Sequence, residues 1–266
     1  YAAQRAGVDR FFRLGGAHGV AALAYGTASV PRVDKIVGPG GPYTVIAKRL
    51  VFGHVDIESL PGPTEVLVIA DDSANPTWIA ADLLSQAEHG ADSLAVLLTP
   101  SAELGRAVAA AVERQIPTLS RAETIRQCLR EHGWVILTRD LAEACALSNE
   151  CAPEHLELLV ADPDALLDRI HHAGAVFVGP YTPEPIGDYV AGPSHILPTG
   201  GTARFSSPLH VDDFVKKSSL LCYSRERFER EAGDVICLAE AETLDAHAAA
   251  IRIRLPRGCG PGPTLE

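Results

Sequence analysis

Short apolar runs alternate with stretches of mixed polarity along most of the chain. The run Glu65-Val-Leu-Val-Ile-Ala70 is apolar at every position after its first, as expected of a strand buried on both faces. Similar runs predict strands over 33–37, 93–99, 134–138, 156–160 and 175–179. The segments between them predict helices over 43–50, 76–89, 102–115, 121–131, 141–148 and 164–172. Asn75-Pro76 offers a cap and a first-turn proline for the second of these, and Gly90 stops it. Strands separated by helices imply crossover connections. The expected class is α/β, with Rossmann-like, mostly parallel sheets flanked by helices. In such sheets ligands gather beyond the carboxyl ends of the strands, and the polar clusters are expected there.

The alternation breaks at Pro180. Residues 180–208 are rich in Pro, Gly and Ser and read as a long functional loop. Helices near 225–231 and over 241–254 then suggest a small C-terminal helical segment. The expected organisation is an incomplete nucleotide-binding α/β remainder over 1–65 and an α/β domain carrying the chemistry over 66–210. A helical dimerisation segment over 211–255 and a disordered tail over 256–266 complete it.

Composition narrows the classes. The chain has 266 residues, 23 basic against 34 acidic, and a net charge of −11, with no Lys/Arg cluster to attract nucleic acid. No apolar run approaches the roughly 18 residues of a membrane span. Six cysteines are scattered without a CxxC pair, which fits buried reduced thiols and a cytoplasmic location. The chain contains no Met and opens at Tyr1-Ala-Ala-Gln, as if inside a helix. It is expected to be the C-terminal part of a longer protein.

Several polar constellations could carry chemistry. In Ser85-Gln86-Ala87-Glu88-His89-Gly90, Gln86 and His89 are three apart at a helix end and share a face. An amide oxygen and an imidazole could hold one divalent ion. In Pro153-Glu154-His155-Leu156 a carboxylate and an imidazole lead into a strand, a pair suited to proton transfer near neutrality. The long loop adds Asp188 and His195, and the last helix adds Glu242 and His247. Gln86, His89, Asp188 and His247 form an O/N ligand set without thiolate, which zinc tolerates. Glycine turns occur at Gly15-Gly16-Ala17-His18-Gly19 and Gly38-Pro39-Gly40-Gly41. The second lies between a strand and a helix, a geometry suited to a pyrophosphate. By themselves these residues leave open a zinc hydrolase with Glu154 as base, and a non-catalytic zinc-binding chain.

Taken in order, the motifs resemble the histidinol dehydrogenase family. The resemblance rests on RVDKIVGPG, GPTEVLVIAD, DLLSQAEHG, PEHLE, GDYVAGPSHILPT, TARFSSPL and an AExLxAH pattern ending at His247, and spans nearly the whole chain. It implies oxidation of histidinol to histidine through an aldehyde, with two NAD and one zinc per subunit. A related zinc/NAD alcohol dehydrogenase on another substrate is the alternative. The resemblance makes Gln86, His89 and Asp188 zinc ligands, with His247 completing the site from the second subunit of a homodimer. It makes His155 the general base for the alcohol and Glu154 the base that activates water against the aldehyde. Thr64, Gln86, His89, His155, Asp188, His195, Glu242 and His247 are the implied substrate contacts. His18 and Gly41 fall at the implied NAD contacts, where the family's GGAQ and GPGN read GGAH and GPGG.

Overall fold

The computed structural model describes residues 1–256, so nearly all of the tail expectation lies outside the described residues. The chain divides after Val215 into two units.

The first unit begins with α1 (Ala2–Arg5), α2 (Gly16–Tyr25), β1 (Lys35–Ile36), α3 (Pro42–Val51) and β2 (Asp56–Ile57). β1 and β2 pair in parallel, and α2 and α3 pack over them through Val20, Ala24, Ala47 and Val51. The strand expected over 33–37 is thus only two residues long. The larger layer follows as β3 (Glu65–Ala70), α4 (Pro76–Ala87), β4 (Leu94–Thr99), α5 (Ala102–Gln115), α6 (Ala122–His132) and β5 (Gly133–Leu137). It continues through α7 (Leu141–Cys151), β6 (His155–Leu159), α8 (Asp164–Leu167), β7 (Ala175–Val178) and α9 (Glu184–Tyr189). The five strands are all parallel in the order β5-β4-β3-β6-β7, which gives the expected α/β class.

Local chemistry starts these helices. Asn75 accepts from the Thr77 N–H at 2.9 Å, Ser101 from Leu104 at 3.1 Å and Asp140 from Glu143 at 2.8 Å, each satisfying a first-turn donor. The sheet separates two apolar layers. Val66, Val68, Ala95 and Leu97 pack under α4 and α5, while Leu67, Ile69, Leu156 and Leu158 pack against α7 and α8.

Several expectations are corrected. The helix expected over 164–172 ends at Leu167, because the Asn149 side chain bonds Arg169, His171 and His172 backbone groups and holds them outside a helix. The long loop is interrupted by α9, which carries Asp188. The second unit contains α10 (Arg225–Ala241) and α11 (Asp245–Arg252), packed together through Ala232, Ala239 and Ala248. One helix over 241–254 is therefore broken. Thr243 takes φ +60, and the Leu244 N–H turns back to the Ala239 carbonyl at 2.8 Å. Glu242 caps α10, while His247 sits on α11. Among the described cysteines, Cys128 and Cys145 are buried, but Cys151, Cys222 and Cys237 are exposed, contrary to the expectation of buried thiols. No helix among the described residues is long and apolar enough to cross a membrane.

Candidate active site

The first unit gathers Thr64, His89, Glu154, His155, Asp188 and His195 around one cleft, with Pro39, Pro61, Ile196 and Leu197 completing its wall. Its position overturns the general expectation for parallel sheets. Thr64 and Glu154 immediately precede β3 and β6, and His155 is the first residue of β6, so the site lies at the amino ends of the strands. α4 runs back along the sheet and delivers Gln86 in its last turn at that same end. His89 lies just past the helix, its N–H bonded to the Gln86 carbonyl at 3.2 Å. The end presented there is a helix C-terminus, whose partial negative charge suits a cation rather than a phosphate.

The chain reaches Glu154 through a strained turn. Ala152 ends α7 with φ +48, a left-handed conformation that a Cβ disfavours by roughly 1–2 kcal/mol, and it is fully buried. Pro153 and Glu154 follow. Gly174 runs against this segment so closely that a Cβ there would meet the Glu154 carbonyl oxygen at 2.6 Å.

Glu154 and His155 are held by one residue that sequence reading passed over. The Glu65 N–H donates to Glu154 Oε2 at 3.0 Å, the Glu154 N–H donates to Glu65 Oε2 at 3.2 Å, and His155 Nδ1 meets the Glu65 carbonyl at 2.8 Å. A carbonyl only accepts, so Nδ1 carries the proton and neutral His155 keeps a free lone pair on Nε2. The parallel register Val66↔His155 makes these links possible. A carboxylate opening an otherwise apolar strand was the available signal.

Electrostatics suit both groups to accept protons. Burial pushes the Glu154 carboxyl up to about 7, although the Thr64 hydroxyl and Glu65 N–H pull it down. Burial lowers the His155 pKa, against the opposing bond to the Glu65 carbonyl, so the ring is neutral near pH 7.

A relay joins Glu154 to the proposed metal end. The Gln86 amide donates to the Thr64 hydroxyl, which donates to Glu154 Oε2 at 2.7 Å. That fixes the amide orientation and leaves Gln86 Oε1 buried without a partner. Such an orphaned oxygen costs free energy unless something occupies its lone pairs. With His89 and Asp188 beside the same cleft, an O/N donor set suited to zinc is present. Ligand atoms of His155, Glu184 and Asp188 also lie within 4.8 Å of one another, and His155 Nε2 is 3.7 Å from Glu184 Oε1.

The remaining expected residues fall elsewhere. His18 is exposed on α2, and Gly41 is the exposed N-cap of α3. A Cβ at Gly38 or Gly41 would meet nothing within 4 Å, so the backbone of this turn is open to a ligand. Glu242 and His247 are exposed in the second unit.

With this geometry in place, the relatives are decisive. The family model for histidinol dehydrogenase matches residues 1–255. The chain belongs to the histidinol dehydrogenase family. It is 54% identical over 256 residues to histidinol dehydrogenase of Heliobacterium mobile, covering 96% of this chain and 60% of that protein. For histidinol dehydrogenase of Aquifex aeolicus the identity is 55% over 253 residues, covering 95% and 59%. The crystal structure of histidinol dehydrogenase from Elizabethkingia anophelis superposes with a TM-score of 0.89 at 38% identity, covering 96% of this chain and 59% of that one. The chain thus spans about 60% of the length of these family members.

Proposed function

We propose that this chain carries the catalytic and metal-binding residues of a cytoplasmic histidinol dehydrogenase, which oxidises histidinol to histidine through the aldehyde with two NAD. The observation that carries the reading is the pairing of two different bases in one cleft: neutral His155 with a free Nε2, and Glu154 with its carboxyl raised to about 7.

His155 Nε2 accepts the hydroxyl proton as hydride leaves the alcohol carbon, and the Glu65 carbonyl holds the ring in the required tautomer. An aldehyde cannot give up a second hydride until it is hydrated. Glu154 removes a proton from the attacking water, and its carboxylate is steadied by the Thr64 hydroxyl and Glu65 N–H. Thr64 and His195 contact the substrate. Gln86, His89 and Asp188 of this unit would hold zinc, with His247 joining them from the second subunit of a homodimer and Glu242 beside the substrate. Zinc bound there would supply positioning of the substrate rather than redox chemistry. Bound NAD would supply the hydride acceptor. Its phosphates suit the open glycine turn at the start of α3, and Pro39 of that turn borders the cleft.

The test uses the full-length protein with zinc and follows NADH formed from histidinol. Two NADH per histidinol support the reading. Turnover of another alcohol alone would assign a sister activity, and NAD-independent hydrolysis would overturn dehydrogenation altogether.

A further inference from the structure

A buried ion pair stands outside the site and has no part in the chemistry assigned so far. Lys48 lies on α3, and Glu58 directly follows β2. Their side chains are 1% and 3% exposed, and Lys48 Nζ lies 2.7 Å from each oxygen of Glu58. Taking two charges out of water is costly, and a well-packed apolar pair often serves a fold as well or better. Stability alone therefore does not account for the pair.

Both side chains close on one residue. Glu58 Oε1 accepts the Gly38 N–H at 2.8 Å, and Lys48 Nζ donates to the Gly38 carbonyl at 3.1 Å. The backbone donor and acceptor of Gly38 are thus both held, at φ +119, a conformation that a side chain disfavours. Gly38 lies just past β1, which pairs in parallel with β2, so the clasp sits at the carboxyl ends of the small sheet. The turn then runs through Pro39, which borders the cleft, to Gly41, the N-cap of α3. The N–H groups of Gly40 and Gly41 donate to no group among the described residues. A lysine beside a glycine turn often binds phosphate itself. Lys48 is not free to do so, because the two Glu58 oxygens and the Gly38 carbonyl take the three donors of its ammonium group.

We infer that Lys48 and Glu58 are positioning residues that clasp Gly38 by its own backbone and hold the Gly38–Gly41 turn in the shape that presents free N–H groups to the phosphates of NAD. The identity of that ligand rests on the proposed function; the clasp itself does not. Lys48 contributes a fixed shape rather than a charge, and the phosphates meet backbone donors at the start of α3. An unclasped turn spends only part of its time in that shape, and apparent affinity falls by the same fraction.

The experiment replaces the pair in the full-length protein by apolar side chains of similar size, Lys48→Met together with Glu58→Leu. Such exchanges are often neutral for folding, so the unfolding temperature should stay near wild type, as should zinc affinity measured by chelator competition. NAD affinity, measured by direct titration, should weaken about tenfold. The KM for NAD should rise to match, while kcat at saturating NAD and the KM for histidinol hold. Exchange of the Gly38 amide hydrogen should quicken, a readout that needs no activity. Wild-type NAD affinity in the folded double variant would overturn the inference. So would an equal loss of zinc or histidinol binding, because a general loosening of the fold moves all three. If the double variant does not fold, Gly38→Ala decides. Its Cβ meets nothing within 4 Å, so it acts through backbone conformation alone. It should weaken NAD binding about tenfold and spare zinc, and unchanged NAD affinity there sinks the inference. A wild-type protein that binds no NAD removes the functional reading, and Gly38 exchange in the double variant then judges the clasp by itself: quickened exchange supports it and unchanged exchange overturns it.

Discussion

β6 shows what burial does and does not say about function. All five of its residues are buried. On one face, Leu156 and Leu158 meet Ala144, Cys145 and Leu166 in an apolar cluster. On the other, His155 and Glu157 occupy positions of equal burial but bring an imidazole and a carboxyl with them. Water is excluded from both faces. The difference is that one face is filled by packing, while the other keeps buried carboxyl oxygens without a partner, Glu157 Oε2 and Glu184 Oε1. Burial of apolar area supplies stability. Buried polar atoms give some of it up, and Gln86 Oε1, Glu157 Oε2 and Glu184 Oε1 are such atoms.

The sharpest way to break this comparison is to disable the site end of the strand and its apolar face in turn. Glu154→Gln keeps acceptors for both the Thr64 hydroxyl and the Glu65 N–H but cannot take a proton. On the proposed reaction, acid formation from the aldehyde should fall about 10²–10⁴-fold, with zinc content and unfolding temperature near wild type. A variant that still converts aldehyde to acid at the normal rate removes Glu154 from the role. On the apolar face, Leu156→Ala should lower unfolding free energy by about 2–5 kcal/mol, since the side chain is fully buried among packed neighbours. The rate per folded molecule should hold. Denaturant melts combined with active-site titration separate the two quantities, and a stable but inactive Leu156→Ala would show that the faces are not independent.

A smaller effect tests the electrostatics of the site end. Glu154 must be ionised to act as a base, and burial raises its carboxyl to about 7. Below that pH the protonated fraction grows, so aldehyde oxidation should decline about tenfold per pH unit and level off above it. A profile flat down to pH 5 would mean that the carboxyl titrates in its ordinary range. Glu154→Gln should lose this limb entirely.

Much of the scaffold was legible because its signals are local. The run Glu65–Ala70 and the helix Ala102–Gln115 stand where apolar periodicity puts them. The Glu154-His155 pair was legible as a pair. Its surroundings were not, because they come from register and crossover geometry. Glu65 looks like the polar start of a strand, and only the pairing of Val66 with His155 places its backbone and side chain against both bases. Glu157 reads as one polar position among leucines, while the N–H it accepts comes from Glu184 on α9, distant in sequence. The amino-end location ran against the rule for phosphate ligands, which follows helix N-termini. Here the incoming α4 presents its C-terminus, which favours a cation.

The smallest predicted effect asks how far the polar face depends on its scaffold. Asp140 caps α7 on the apolar side of the sheet, accepting from the Glu143 N–H at 2.8 Å. Asp140→Ala should cost about 1 kcal/mol of stability, read as a shift in denaturant midpoint at unchanged slope. α7 runs from this cap to Cys151 and then through left-handed Ala152 into Glu154. If the helix acts as a rigid strut, fraying its first turn leaves the last turn in place, and histidinol turnover with zinc affinity should be unchanged. A fall in turnover without loss of zinc would show that strain at Ala152 is set by the whole helix. The apolar face would then be part of what aims the base, rather than only what keeps the strand folded.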